Sequence, residues 1–327
     1  MFLESRIFRF WLMTGVTVWA ILFYTFNNLA FLAEHWFYPA TMVLGAFVAG
    51  LTPEGGGAVA FPVLSVFLDI DRVLARDFSL MIQSIGMTSA SIFILTRKDV
   101  DLRSFTPLLW FVPAAFCGFV VGMLTLQGIK VYIIQALFLS LIASFALAYY
   151  FSSHRGDLHF YRPRGRRDTL ITLLILFLGG MCTSLFGTGA DIILYTLMVT
   201  RFNLHERTAT QISVILMASL SILGYAYRGL VDQGLSGYQV QTWLCAYPVV
   251  LFMAPLGAYV LARINKEHML RAIVVLNIAQ LSYFLITKPT PEKILWTAIF
   301  TVGLSTLFFV TLARLARQRK LAMAELD

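Results

Sequence analysis

The chain has 327 residues, 59% of them hydrophobic and only 13% charged, with a mean hydropathy of +0.78 and a formal net charge of +8. Repeated apolar runs of about 20 residues match what a ~30 Å hydrocarbon core asks of a spanning helix, which excludes a water-soluble domain. The basic residues sit in short connectors and not along one face, which excludes a nucleic-acid surface, and Cys117, Cys182 and Cys245 fall inside apolar segments and imply no disulfide framework.

Arg6 and Arg9 precede an apolar run from Phe10 to Ala33. A signal peptide has an apolar region of only ~7–15 residues, so an uncleaved first spanning helix is expected here. Tyr38 to Leu51 and Ala58 to Leu68 come next, separated by Thr52, Pro53, Glu54 and the triplet Gly55, Gly56, Gly57. As helices these two arms would measure about 21 and 16 Å at ~1.5 Å per residue, too short to cross singly. Uninterrupted spans are expected at Phe78–Leu95, Phe105–Leu126 and Val131–Phe151. The polar, basic segment Ser152–Asp168 then divides the chain near its middle. A second broken segment begins at Thr169, with Gly187, Thr188 and Gly189 at its break and Asp191 just after. Further spans are expected at Ala209–Tyr227, Tyr238–Leu261, Met269–Ile286 and Ile294–Leu312.

The two broken segments head related halves. Gly57 and Gly189 are 132 residues apart, Arg76 and Arg207 131, and Pro113 and Pro248, like Gly122 and Gly257, 135. Offsets that drift this little indicate an internal duplication. The expected fold is an all-α integral membrane protein built as an inverted repeat. Each repeat is a glycine-broken re-entrant helical hairpin plus three spanning helices, with one extra helix at each end. The expected units are 1–37 (first helix), 38–151 (repeat 1, hairpin 38–68), 152–168 (basic linker), 169–287 (repeat 2, hairpin 169–200) and 288–327 (last helix and tail).

Counting Lys and Arg supports re-entrant hairpins. With both termini and the middle linker cytoplasmic, 19 of the 25 basic residues lie inside if each broken segment enters and leaves on one face. Full crossings would leave the minority inside, against the positive-inside bias. Three full crossings per repeat then invert one half relative to the other, an arrangement suited to alternating access.

Unwound backbone survives at membrane depth only where protein or a wet cavity surrounds it, so the matched breaks mark the expected transport site. The start of a second hairpin arm offers free N–H groups and the positive end of the helix dipole, both suited to an anion. Gly55, Gly56, Gly57, Gly187 and Gly189 would let backbone donors approach a ligand. Hydroxyls of Thr52, Thr183, Ser184 and Thr188 are expected near the same level. Ser79, Gln83, Thr210, Gln211 and Ser213, early in the following helices, would line the cavity or bond helix to helix. Gly45, Gly50, Gly118 and Gly122 read as packing glycines. Glu54 and Asp191 are the coupling candidates, because an ionisable group at membrane depth is a functional candidate by default. For Asp191, capping the second arm is the competing role. Arg76 and Arg207, at matched helix starts on opposite faces, would recruit anions or anchor at the headgroups.

The Gly55–Gly57 break followed by Phe61 and Pro62, its counterpart Gly187-Thr188-Gly189, the polar helix starts at Ser79 and Thr210-Gln211, and the pairs Pro113/Gly122 and Pro248/Gly257 resemble the sulfite exporter TauE/SafE family. The resemblance covers roughly Tyr38 to Ile286. It implies movement of sulfite, sulfoacetate or another sulfonate or organic anion across a bacterial inner membrane, often outward. The implied partners are a small anionic solute and the bilayer, with no cofactor and no metal; the oligomeric state is left open, a homodimer included. An anion channel, or a cation carrier using Glu54 and Asp191, is the alternative. An enzyme is disfavoured. The stretch Gly187–Asp191 has one residue too many for an intramembrane aspartyl protease and lacks a second aspartate in an uninterrupted span. Gly234–Gly237 places its serine in a loop without a buried histidine. The five histidines lie in or near connectors without metal-ligand spacing.

Overall fold

A computed structural model describes residues 4–151, 158–163, 165–261, 263 and 266–324; of residues 149, 266–269 and 311–324 only the backbone is described. The described residues form thirteen α-helices, in chain order α1 (Arg6–Phe26), α2 (Leu29–Glu34), α3 (Phe37–Leu51), α4 (Gly57–Pro62), α5 (Arg72–Leu95), α6 (Leu108–Thr125), α7 (Val131–Phe151), α8 (Arg166–Phe186), α9 (Ala190–Thr200), α10 (Glu206–Ala226), α11 (Gly237–Leu261), α12 (Lys266–Ile286) and α13 (Pro291–Ala324). Among the described residues the extended structure is one bridge between Leu158 and Leu204. Among the described residues, eight stretches are long and apolar enough to cross a membrane. Large apolar side chains such as Leu109, Trp110 and Leu124 on α6 and Val302 and Leu307 on α13 are exposed on the outside of the bundle, where a bilayer would meet them. The protein is all-helical and membrane-embedded, as expected.

Local chemistry moved several boundaries. The first apolar run is not one helix. It breaks at Asn27 and Asn28, because Asn favours caps over helix interiors. Asn28 caps α2 by accepting from Phe31 N at 2.8 Å, while Asn27 donates to the Gln241 carbonyl at 2.9 Å. Helix α5 starts at Arg72, six residues before the expected Phe78, with Asp71 accepting from Val73 N and Leu74 N. Both broken segments are interrupted as expected, leaving the short apolar pieces Phe37–Leu51, Gly57–Phe67 and Ala190–Thr200. Helix α8, expected as a hairpin arm, has 21 residues and is long enough to cross. The basic linker lies partly outside the described residues, Arg155 and Arg164 among those left out.

Helix α5 is the centre of the bundle, with 78% of its apolar window buried against 17% for α13. It packs on α10 and α11. Small residues bring backbones together across the two halves. A methyl at Gly50 of α3 would strike the Ala254 carbonyl of α11, and one at Gly257 the Phe47 carbonyl of α3. On the other side, a methyl at Gly118 of α6 would strike the Phe177 carbonyl of α8, and one at Gly180 the Ala115 carbonyl of α6. The packing role expected of Gly50, Gly118 and Gly122 is therefore borne out, and it interlocks the halves: α3 rests on α11 and α8 on α6. Hydroxyls hold the α7–α13 contact, Ser140 with Thr301 at 2.9 Å and Ser305 with Ser144 at 2.9 Å.

Candidate functional site

The two breaks meet tip to tip. Gly55, at φ +70°, is where the first segment turns, and Gly187 and Gly189, at φ +78° and +119°, turn the second. These are backbone conformations that glycine reaches without strain. A methyl at Gly55 would collide with the Asp191 carboxylate and lie 2.9 Å from Thr188 Oγ1; one at Gly57 would lie 2.7 Å from Thr188 Cβ. Gln83 of α5 ties the tips together. Its Nε2 donates to the Gly187 carbonyl at 2.7 Å and to the Ser79 carbonyl at 2.9 Å, and its Oε1 accepts from Thr188 Oγ1 at 3.4 Å. Gly187 packs against the Arg76 carbonyl and Ser79 Cβ of the same helix. The cavity beside the first tip, between Gly56, Gln83, Ala49 and Val250, measures about 10 Å³, room for no more than one water.

Around this junction most polar groups already have partners. Asp191 Oδ1 accepts from Gly189 N and Ile192 N, both at 3.0 Å, and Thr188 donates to the same carboxylate at 3.3 Å. Thr183 Oγ1 accepts from Ala190 N at 3.3 Å while donating to the Gly179 carbonyl at 3.1 Å. Asp191 and Thr183 thus occupy the N–H groups at the start of α9, which is the capping role. Thr52 accepts from Glu54 N at 3.2 Å and donates to the Val48 carbonyl at 3.0 Å. Ser79 and Thr210 donate to carbonyls one turn back, Ala75 at 2.8 Å and Glu206 at 2.9 Å, and Gln211 is buried on α10 beside Thr210. Of the five glycines at the breaks, Gly56 is the least constrained, with no positive φ and ordinary van der Waals room for a methyl.

Glu54 differs from Asp191. It is 1% exposed; its Oε1 accepts from Asn277 Nδ2 at 2.8 Å, and its Oε2 is buried without a protein partner among the described residues. Asn277 also donates to the Ile142 carbonyl at 3.2 Å, so it joins the first tip to α7 and α12. Its Oδ1 and both polar atoms of Gln280, one turn further along α12, are likewise buried and unpartnered among the described residues.

At one end of the α5–α10 pair lies a buried ionic network. Asp77 receives Arg76 Nε at 2.8 Å, Arg228 Nη2 at 2.7 Å and Gln239 Nε2 at 2.7 Å. Arg76 Nη1 donates to Gln127 at 2.6 Å, and Arg228 reaches both Asp232 and the Gly234 carbonyl. Arg76 is 1% exposed and Asp77 0%. Arg76 is therefore a clamped internal group rather than an anion recruiter or a headgroup anchor. At the opposite end Arg207 joins Asp99, which Arg97 grips at 2.8 and 2.6 Å. That grip holds the Asp99 carboxyl below the usual aspartate range. Since Arg228 closes α10 beside Asp77, which opens α5, while Arg207 opens α10 beside Asp99 just past α5, the two helices are antiparallel.

The sequence pointed to the glycines, Thr188, Gln83 and Asp191, and the fold brings them together. It gave no hint of Asn277, on a helix far along the chain. Asp77 was also missed, although an Arg-Asp pair opening an apolar run was a visible cue. Searches of curated proteins and of solved structures find no match to this chain. Comparison with known protein families matches residues 38–285, from the start of the first broken segment to the end of α12, to the family described as Sulfite exporter TauE/SafE. With three quarters of its length covered by that match, the chain belongs to the sulfite exporter TauE/SafE family.

Proposed function

We propose that this protein is a secondary carrier for a small sulfur-containing or organic anion, sulfite or a sulfonate, working by alternating access between two inverted halves. The family is one of membrane transporters of sulfur anions such as sulfite. The observation that carries the reading is the contact of Gly55 and Gly57 with Thr188 and Asp191, two broken segments from different halves meeting at a buried point. The tips approach so closely that even a methyl at Gly55 or Gly57 would clash with the facing segment, so they must part for the substrate to enter between them. Parting them releases Thr188, Gln83 and the backbone N–H groups of Gly55–Gly57 as donors. The test is a melting screen of the detergent-purified protein against sulfite, thiosulfate, sulfoacetate, carboxylates, phosphate, sodium and potassium, followed by flux in proteoliposomes. A ligand at ~100 times its Kd stabilises the folded state by ~2.7 kcal/mol, enough to detect. Stabilisation by a sulfur oxyanion with saturable, counterflow-capable flux is expected. Stabilisation by cations alone would instead make Glu54 and Asp191 ligands.

Glu54 is the proposed proton-coupling group and Asp191 the cap. Glu54→Gln is expected to leave flux that no longer varies with pH. Asp191→Asn is expected to keep the pH dependence and to lose about 1 kcal/mol of stability through a weaker cap. Flux and melting curves measured from pH 5 to 8 check this, and the opposite pattern would exchange the two roles.

Both termini and the middle linker are proposed to be cytoplasmic in a bacterial inner membrane. With the three native cysteines replaced by alanine, Ser236→Cys, in the exposed turn before α11, is expected to react with an impermeant maleimide only from outside. Arg103→Cys, exposed after α5, is expected to react only from inside. Labelling from the wrong side at either position would reverse the orientation.

A further inference from the structure

Where α1 and α10 begin and α5 and α11 finish, the bundle holds a cavity of about 640 Å³. Its charged lining is Arg97 and Lys98 just beyond α5, Arg207 in the first turn of α10, Arg263 beyond α11, and the carboxylates Glu4 and Asp99; Phe93 and Tyr259 add apolar walls. Among the described lining residues four cations face two carboxylates, an excess of positive charge.

The partners already present show how a ligand would be held. Arg97 grips Asp99 through two nitrogens, and Arg207 shares Asp99 Oδ2 at 3.1 Å. Arg263 lies over the Tyr259 ring at 3.8 Å, a stacking that leaves the guanidinium edge able to take an oxyanion. This is the fork geometry with which arginine meets carboxylate, sulfate and phosphate groups. The cluster is also open to exchange. Arg207 is 35% and Asp99 52% exposed, and ion pairs in water contribute little, so displacing Asp99 is cheap.

The opposite end of the same two helices sharpens the contrast. Arg97 and Arg228 are 131 residues apart, as Arg76 and Arg207 are, so each end of the α5–α10 pair places two related arginines around one aspartate. There Arg76, Asp77 and Arg228 are buried, and Gln127, Gln239, Asp232 and the Gly234 carbonyl complete the network. One end is closed and saturated. The other is wide, wet and held by a replaceable carboxylate.

We infer that this cavity is a binding site for a sulfate-like or phosphate-like oxyanion, held by Arg97, Arg207 and Arg263, with Asp99 as the internal anion it displaces. A free inorganic ion and the phosphate headgroup of an anionic lipid share this chemistry. Under the orientation proposed above the cavity is the cytoplasmic mouth, but binding here does not depend on transport and is read without flux.

The test is calorimetric titration of sodium sulfate into the full-length protein in phosphatidylcholine nanodiscs, with ionic strength held by sodium chloride. Saturable binding is expected, at least tenfold weaker in Arg207→Gln and in Arg263→Gln and several-fold tighter in Asp99→Asn, where the competing carboxylate is gone. All four proteins should melt alike. Repeating the titration in phosphatidylglycerol nanodiscs separates the sources: lost sulfate binding identifies a headgroup as the occupant, and unchanged binding identifies a free ion, either of which supports the site. Affinity indifferent to both arginine variants, no gain in Asp99→Asn, or no sulfate binding in phosphatidylcholine would overturn it. Binding abolished by Gly57→Ala with the arginines intact would overturn it too, by placing the ion at the hairpin tips instead.

Discussion

Flux through the protein is expected to fall at least tenfold in Gly57→Ala while Gly56→Ala stays near wild type. The two glycines are neighbours in one triplet, yet their surroundings differ. A methyl at Gly57 would sit 2.7 Å from Thr188 Cβ and 2.7 Å from its Cγ2, closer than real carbon contacts allow, whereas at Gly56 the nearest atom is 3.5 Å away. The first clash wedges the two tips apart by a fixed amount and prevents both the close contact seen here and its controlled opening. Interiors packed like crystals absorb such a change poorly, with overpacking costing about 1–3 kcal/mol. Proteoliposome uptake with membrane content and melting measured in parallel checks the result. The second-site variant Thr188→Gly removes the clashing carbons, so Gly57→Ala/Thr188→Gly should regain part of the melting temperature lost in Gly57→Ala. Equal flux in both single variants would sever the tip contact from transport.

Asp77→Ala is expected to be among the most destabilising substitutions in the chain. It leaves Arg76, at 1% side-chain exposure, without a carboxylate partner, facing Arg228, at 7%, which keeps only the Asp232 carboxylate. Breaking a buried ionic network by removing one partner costs about 3–5 kcal/mol, because charges already stripped of water lose their counter-ion. For a chain this long that corresponds to a melting point lower by about 10 °C. Arg76→Met/Asp77→Leu/Arg228→Met, which removes the charges together, should recover much of the loss, since a well-packed apolar replacement avoids the desolvation penalty altogether. Melting in detergent distinguishes the two. An Asp77→Ala midpoint within ~2 °C of wild type would mean that water reaches this end of the bundle.

Apolar runs and their breaks depend on neighbouring residues, and these were legible in the sequence. Chain-local physics decides that Gly187 and Gly189 take positive φ, that Asp191 caps the helix after them, and that the segments around Gly55 cannot form one continuous span. The small differences from expectation are local too: hydropathy trims Arg72, Arg76 and Asp77 from α5, because a window sees their charges but not their neutralising partners. Similarly, Asn27 and Asn28 weigh little in a hydropathy average yet stop a helix.

The residues at matched offsets, and the 248 residues that place the chain in its family, were fixed by sequence alone. What tertiary structure decided is who meets whom. That Gly57 faces Thr188, that Asp77 sits between arginines 1 and 151 residues away, and that Glu54 finds Asn277 across 223 residues depends on how antiparallel helices dock. The same docking leaves one end of the α5–α10 pair sealed and the other open around Asp99. A sequence sets the period and polarity of each helix, but a long-range contact depends on the relative rotation of two helices. That rotation is fixed by close approaches such as Gly50 on Ala254 and Gly180 on Ala115, which appear only once the helices are packed.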